Sequence, residues 1–209
     1  SSIYINLSFN FLPYIQKIFP AIICRNSNNS QKVWLTFDDG PNPEVTKWIL
    51  KELDKLNIKA TFFLIGKKIV SHPELYQLVI KQGHVIGNHS YTHRNGWRTK
   101  TKTYIDDIAK CERLLNNNHI FRPPYGKITP SQIAKLKSRY KIILWDVLSY
   151  DFKKNISVAN VKKNVLNNVT EGSIIVFHNN YKSYNVLQKC LVDILEEIKN
   201  RGYLFSTTW

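Results

Sequence analysis

The sequence predicts an α/β fold in which about seven parallel strands curl into a distorted, incomplete (β/α) barrel, and three observations lead there. Short apolar, β-branched or aromatic runs alternate with longer amphipathic stretches, and a β-α-β-α order needs crossover connections, hence a parallel sheet. The runs number seven rather than eight, which favours an open or distorted barrel over a closed one. Acidic and imidazole side chains cluster directly after the runs, where the strand-to-helix loops of such barrels carry their chemistry.

In chain order, strands are expected at 33–37, 60–65, 84–87, 119–122, 141–146, 173–178 and 203–206. Helices are expected between them at 43–56, 73–81, 103–115, 130–138, 157–167 and 184–200. In the first helix Val45, Ile49, Leu53 and Leu56 recur every three to four residues. Pro43 suits its first turn, where a missing N–H costs nothing. Gly40 and Pro41 stop the first strand, so Asp38 and Asp39 stand at its carboxyl end.

At 209 residues and 24.5 kDa the chain suits one domain with a sizeable core. The polar run from Arg25 to Gln31 is the one clear break in composition, separating an N-terminal arm and linker, 1–31, from a catalytic domain, 32–209. The arm is apolar in patches, but Asn6, Asn10, Pro13, Lys17 and Pro20 keep it short of a membrane span. It is expected to pack over the barrel, with contact between residues 1–24 and a membrane surface as the minor alternative. It has no basic leader region or small-residue cleavage site, so it does not read as a signal peptide. The chain contains no Met, so a lost upstream export segment is compatible with it. A monomer is expected, and Cys24, Cys111 and Cys190 are too few and too far apart for a disulfide scaffold or a cysteine zinc site.

Asp38 and Asp39 alone would read equally well as a solvated turn capping the next helix. His89 and His93 tip the balance, because two imidazoles spaced i, i+4 on one helical turn can meet one cation, a spacing that suits zinc. A zinc protease of the HExxH type has its base directly after the first histidine, a position held here by Ser90. One of the two aspartates then completes a two-histidine, one-carboxylate site, and the other is free to take a proton from activated water. Cobalt or nickel would fit the same ligands. Arg122, wedged between Phe121 and two prolines, is poorly placed for solvation, and Tyr125 carries the first backbone N–H after those prolines. His178 ends the run 173–177 and reads as a core histidine or as a general acid; Asp151 and Asp146 both qualify as its partner.

Five ordered motifs resemble those of the polysaccharide deacetylase family with a NodB-like domain, also called carbohydrate esterase family 4, over the chain from Val33 onward. They are Thr36-Phe37-Asp38-Asp39-Gly40-Pro41, His89-Ser90-Tyr91-Thr92-His93, Arg122-Pro123-Pro124-Tyr125-Gly126, the stretch from Trp145 to Phe152, and Val176-Phe177-His178. The resemblance implies a distorted barrel and metal-dependent removal of acetyl groups from a glycan. The implied substrate is N-acetylglucosamine in peptidoglycan or a chitin-like chain, with O-acetyl esters as a further possibility; such substrates favour the cell envelope, though the cytoplasm is compatible. It implies that Asp38 is the base, that Asp39, His89 and His93 hold the metal, and that His178 is the acid. By the same resemblance Arg122 holds the base, Asp151 orients His178, and the Tyr125 N–H binds the oxyanion. Tyr91, Trp97, Tyr125 and Phe152 are candidate sugar-stacking surfaces, and Phe152 with Val176 would wall an acetyl-methyl pocket. The chain departs from the family pattern at Leu148 (usually Asp), Phe152 (usually Trp) and Asn179 (usually Asp).

A net charge of +15 and a pI near 9.7 raise the rival reading of a nucleic-acid-binding module. The basic residues are dispersed over most helices, as at Lys51, Lys110 and Lys162, so no nucleic-acid partner is expected. A non-catalytic glycan-binding protein is the other rival; the complete set Asp38, Asp39, His89, His93 and His178 speaks for catalysis.

Overall fold

A computed structural model describes residues 16–26, 31–116 and 119–209. The strands are β1 (Ile22–Ile23), β2 (Lys32–Asp38), β3 (Thr61–Leu64), β4 (Val85–Asn88), β5 (Ile120–Phe121), β6 (Lys141–Ile143), β7 (Val147–Leu148), β8 (Ile174–His178) and β9 (Leu204–Phe205). They form one sheet in the order β1-β6-β5-β4-β3-β2-β8-β7, with β9 beside the start of β2. Each named ladder is parallel. The connecting helices are α1 (Pro43–Lys55), α2 (Gly66–Ser71), α3 (Pro73–Lys81), α4 (Thr101–Glu112), α5 (Pro130–Leu136), α6 (Val158–Leu166), α7 (Tyr181–Leu187) and α8 (Leu191–Asn200).

Side chains of a strand alternate between its two faces, and β2 buries both. Leu35 and Phe37 point outward with Phe62 and Phe177 into a core closed by Val45 and Ile49 of α1 and Ile194 of α8. The Phe37 ring stacks at 5.2 Å on Phe62 and 5.9 Å on Phe177. Trp34, Thr36 and Asp38 take the inward face. There Trp34 packs with Phe63, Ile120, Ile143 and Ile174. Trp209 closes this layer from below: its indole donates to Thr61 Oγ1 at 2.9 Å, and the Trp34 indole donates to the Thr208 carbonyl at 2.9 Å. The barrel interior is therefore a packed floor under the strand ends.

The barrel's open seam lies between the edge strands β1 and β7, and a side-chain clasp beside it ties the segment after β1 to the start of β8. Asp146 accepts from the Ile174 N–H at 2.7 Å and from Ser173 Oγ at 2.9 Å, and it lies 3.5 Å from the Arg25 guanidinium. Arg25 also forms an antiparallel bridge with Ser173. This clasp explains why the expected strand 141–146 ends at Ile143. The chain leaves the ladder after Ile143 to bring Asp146 to β8, then rejoins the sheet as β7.

Two other expectations are corrected. The expected helix 184–200 is two helices, starting earlier because the Asn180 side chain caps Ser183 N–H, and interrupted at Cys190, where φ is −144°. Neither glycine nor proline marks that break, and the short α2 was not expected at all. The arm contributes a strand: Ile22 and Ile23 pair with Ile142 and Ile143, and Ile22 and Cys24 are buried. The rest of the arm, 1–15, and residues 27–30 lie outside the described residues, so the expected membrane-surface contact falls largely there. No described helix is long and apolar enough to cross a membrane.

If β1 is integral to the barrel, Ile22→Ala should cost about 2–5 kcal/mol. That corresponds to a fall in Tm of roughly 4–20 °C for a chain of this size. An unchanged thermal melt would return residues 16–24 to a detachable arm.

Candidate active site

The ends of β2, β4, β5 and β8 deliver the ionisable groups to one place. Asp39 follows β2 with φ 75°, and its Oδ1 lies 3.1 Å from His93 Nε2 and 3.6 Å from His89 Nε2. One donor atom from each of Asp39, His89 and His93 falls within 4.8 Å of the others. The His89 Nδ1 lies 2.8 Å from the Arg122 carbonyl, which only accepts, so Nδ1 carries the proton and Nε2 presents a lone pair. Burial lowers the His93 ring below its ordinary value, keeping it neutral. Burial would raise Asp39, but the two imidazoles and the charge of His178 hold it well below the usual carboxylate range. One carboxylate and two imidazoles converging on one point fit a divalent transition metal.

The histidine pair is not on a helical turn as its spacing suggested. Residues 89–93 are a loop with Ser90 at φ 62° and His93 at φ 58°. Asp107 of α4 holds this loop, accepting from the N–H groups of Tyr91 and Thr92 at 3.0 Å each and from the Thr92 hydroxyl at 2.7 Å. The rings still meet, with centroids 5.0 Å apart.

Asp38 is 4 % exposed and accepts from Arg122 Nη1 at 2.7 Å. Arg122 is wholly buried and gives its remaining contacts to Thr36 Oγ1 at 2.7 Å and to the carbonyls of Ile143 and Leu144 at 3.2 and 3.0 Å. Its guanidinium lies 4.1 Å above the Phe63 ring. Gly87 makes that possible, since a Cβ there would come within 2.5 Å of the same ring.

Asp38 and His178 are register partners on β2 and β8 and so share the inward face. The Asp151 carboxylate meets His178 twice, at Nδ1 (2.7 Å) and at the backbone N–H (2.8 Å). Burial alone would lower the His178 pKa, but the Asp151 charge and hydrogen bond, with Asp39 and Asp38 behind them, raise it to about 9. Asp146, the rival partner, is committed to the barrel seam. The Tyr125 backbone is left-handed (φ 61°), and its N–H has no acceptor among the described residues.

These groups open into a cavity of about 610 Å³ whose walls include Phe152, Val176 and Leu148. The Phe152 ring lies 4.7 Å from the His178 ring, edge to face. Tyr91 and Trp97, expected as sugar-stacking surfaces, do not line it. Tyr91 packs against the outer core beneath Lys110, and the Trp97 indole bonds the Ile128 carbonyl at 3.3 Å. Asn179 does not face His178 either; its amide donates to Thr46 Oγ1 at 2.9 Å behind Gly40. Several contributors were missed. Asn180 donates to Asp39 Oδ2 at 2.8 Å, and Lys68 donates to the Asp39 carbonyl at 2.8 Å and to Asn42 Oδ1 at 3.1 Å. Asn180 was legible only as a helix cap, and Lys68 carried no signal.

A family model for polysaccharide deacetylases matches residues 25–140. A peptidoglycan-N-acetylglucosamine deacetylase of Bacillus cereus is 36 % identical over 190 residues, 86 % of this chain and 67 % of that one. Longer relatives include the peptidoglycan-N-acetylglucosamine deacetylase PgdA of Listeria monocytogenes, 32 % identical, of which this chain spans 39 %. Among solved structures, a peptidoglycan N-acetylglucosamine deacetylase superposes with TM-score 0.83 at 32 % identity, covering 96 % of this chain and 94 % of that one. A Bacillus anthracis protein described as a pseudoenzyme of carbohydrate esterase family 4 superposes at 0.80 with 25 % identity, covering 89 % and 66 %. With the family model spanning more than half of its length and the barrel shared with these structures, the chain belongs to the polysaccharide deacetylase family.

Proposed function

We propose that this chain is a metal-dependent hydrolase that removes N-acetyl groups from N-acetylglucosamine residues of a β-linked glycan, peptidoglycan foremost, at the cell envelope. The observation that carries this reading is the side-by-side placement of two differently tuned groups. Asp38 is a carboxylate paired with a buried guanidinium, His178 is an imidazole held by a carboxylate, and both adjoin the Asp39, His89 and His93 donors. A pseudoenzyme shares this fold, so these side chains rather than the barrel distinguish a catalyst.

A divalent cation held by Asp39, His89 and His93 would supply Lewis acidity, bringing the pKa of water from about 15.7 to about 7. Asp38, held in direction by its hydrogen bond from Arg122, takes a proton from the attacking water. The unpaired Tyr125 N–H offers a preorganised donor to the tetrahedral oxyanion. His178 protonates the departing amine while Asp151 fixes its tautomer, and Phe152 and Val176 wall the site for the acetyl methyl group. A cation at Asp39 would offset one of the lesser contributions to the raised His178 pKa, leaving Asp151 as the main one. Acetate release from peptidoglycan, chitin oligomers and acetylated xylan, with chelator and with zinc, cobalt or nickel restored, tests the reading directly. No release from any substrate in any metal would leave a non-catalytic glycan binder.

The two adjacent carboxylates should separate on mutation. Asp39→Asn and His93→Ala should lose bound metal by elemental analysis. Asp38→Asn should keep it while turnover falls by about 10²-fold or more. The opposite pattern would exchange the roles of Asp38 and Asp39.

For the acid, His178→Ala should slow amide cleavage by about 10²- to 10⁴-fold and cleavage of activated esters much less, because a better leaving group needs no proton. Since the charged form of His178 does the work, activity disappears as pH rises through its pKa. Asp151→Asn removes the charge that raises that pKa, so the basic limb should move to lower pH by about one unit or more. Equal losses on amides and esters would assign His178 a structural role.

A further inference from the structure

A second cavity, of about 760 Å³, adjoins the catalytic one and shares Phe152 and Lys182 with it. Lys153, Lys154, Lys182 and Lys189 line it, all solvent-exposed. Its one acidic lining residue is Asp151, whose two oxygens are already engaged by His178. Among the described residues none of the four lysines has a carboxylate partner, whereas Lys55, Lys102 and Lys162 elsewhere pair with Glu52, Asp106 and Asp193. Lys153 instead lies 3.9 Å above the Tyr150 ring. Four ammonium groups lining one groove without a carboxylate partner give it a positive potential that favours an anion and weakens as salt rises. Between them Ile156, Val158 and Val186 offer apolar surface, which suits an anion carried on an aliphatic stem better than a bare ion.

We propose that this groove binds a carboxylate-bearing, peptide-like substituent of the same glycan chain whose acetyl group the neighbouring cavity removes. This rests on the deacetylase reading above and deepens it. Through Phe152 and Lys182 the groove continues the catalytic cavity, so a sugar seated at His178 places a substituent of an adjacent sugar over the lysines. Neutral glycans of the same length leave the groove empty.

The test compares kcat/KM for acetate release from three substrates: a glycan oligomer with free peptide carboxylates, the same oligomer with those carboxylates amidated, and a chitin oligomer of equal length. The carboxylated oligomer should be preferred, through KM rather than kcat, and its advantage should shrink as salt is raised. Amidation should reduce the preference by about three- to tenfold, the scale of two exposed ion pairs. Lys154→Ala/Lys189→Ala should reduce the ratio of carboxylated to neutral substrate by a similar factor. A ratio moved by neither amidation nor the double variant would overturn the proposal, as would loss of the preference to a soluble phosphodiester polymer but not to a free tetrapeptide. If no substrate releases acetate, the deacetylase reading falls, and calorimetric binding of free against amidated oligomer still decides the groove: equal affinities would overturn it.

Discussion

The barrel is organised around a guanidinium that touches no water. Arg122 reaches across the interior from the end of β5, and its hydrogen bonds go to Asp38, to Thr36 one inward step below it, and to the carbonyls of the last residue of β6 and the one after it. Burying such a charge is costly unless each donor finds an acceptor. Those acceptors come from the central strand of the sheet and from the strand beside its edge. Satisfying one side chain therefore sets how far the sheet must curl. The same bond fixes Asp38 in direction, and the Arg122 carbonyl sets the tautomer of His89. Fold closure and the directions of the Asp38 and His89 side chains share one residue.

Above that layer the backbone is strained in a pattern. Asp39, Ser90, His93, Tyr125 and Tyr150 all have positive φ, and all lie in loops at the carboxyl ends of strands. A non-glycine residue held there costs about 1–3 kcal/mol, so each needs local compensation. Lys68 binds the Asp39 carbonyl, the Asn88 side chain accepts from Ser90 N–H, and Asp107 holds the stretch before His93. These supports explain why Asn88 and Asp107, polar and next to the site loops, do not line the cavity. Their partners are the loops rather than a substrate.

Much of this was legible in the sequence wherever the signal was local. A Gly-Pro stop after an apolar run places Asp38 and Asp39 at a strand end. Proline at helix starts located α1, α3 and α5. What failed depended on partners distant in the chain. The histidine spacing suggested a helical turn because nothing near it reveals that Asp107 will accept from the loop. Asp151 and Asp146 were interchangeable until it was known where the chain leaves β6. Tyr91 and Trp97 sit near catalytic motifs in sequence but are claimed by the outer core and by a carbonyl, and aromatic residues carry no mark of which face they will take.

The central strand β2 has one neighbour, β3, that is close in sequence. Its other ladder is with β8, and its first residues pair with β9, whose following segment supplies the Trp209 floor. Its outer faces are covered only when the chain has been made almost to Trp209. During synthesis an apolar strand with an unpaired edge must therefore wait, the circumstance in which association with other chains competes with folding. An early strand of the barrel to leave the ribosome is among the last to be completed, so the yield of folded protein should depend on how long β2 is shielded while β8 is still being translated.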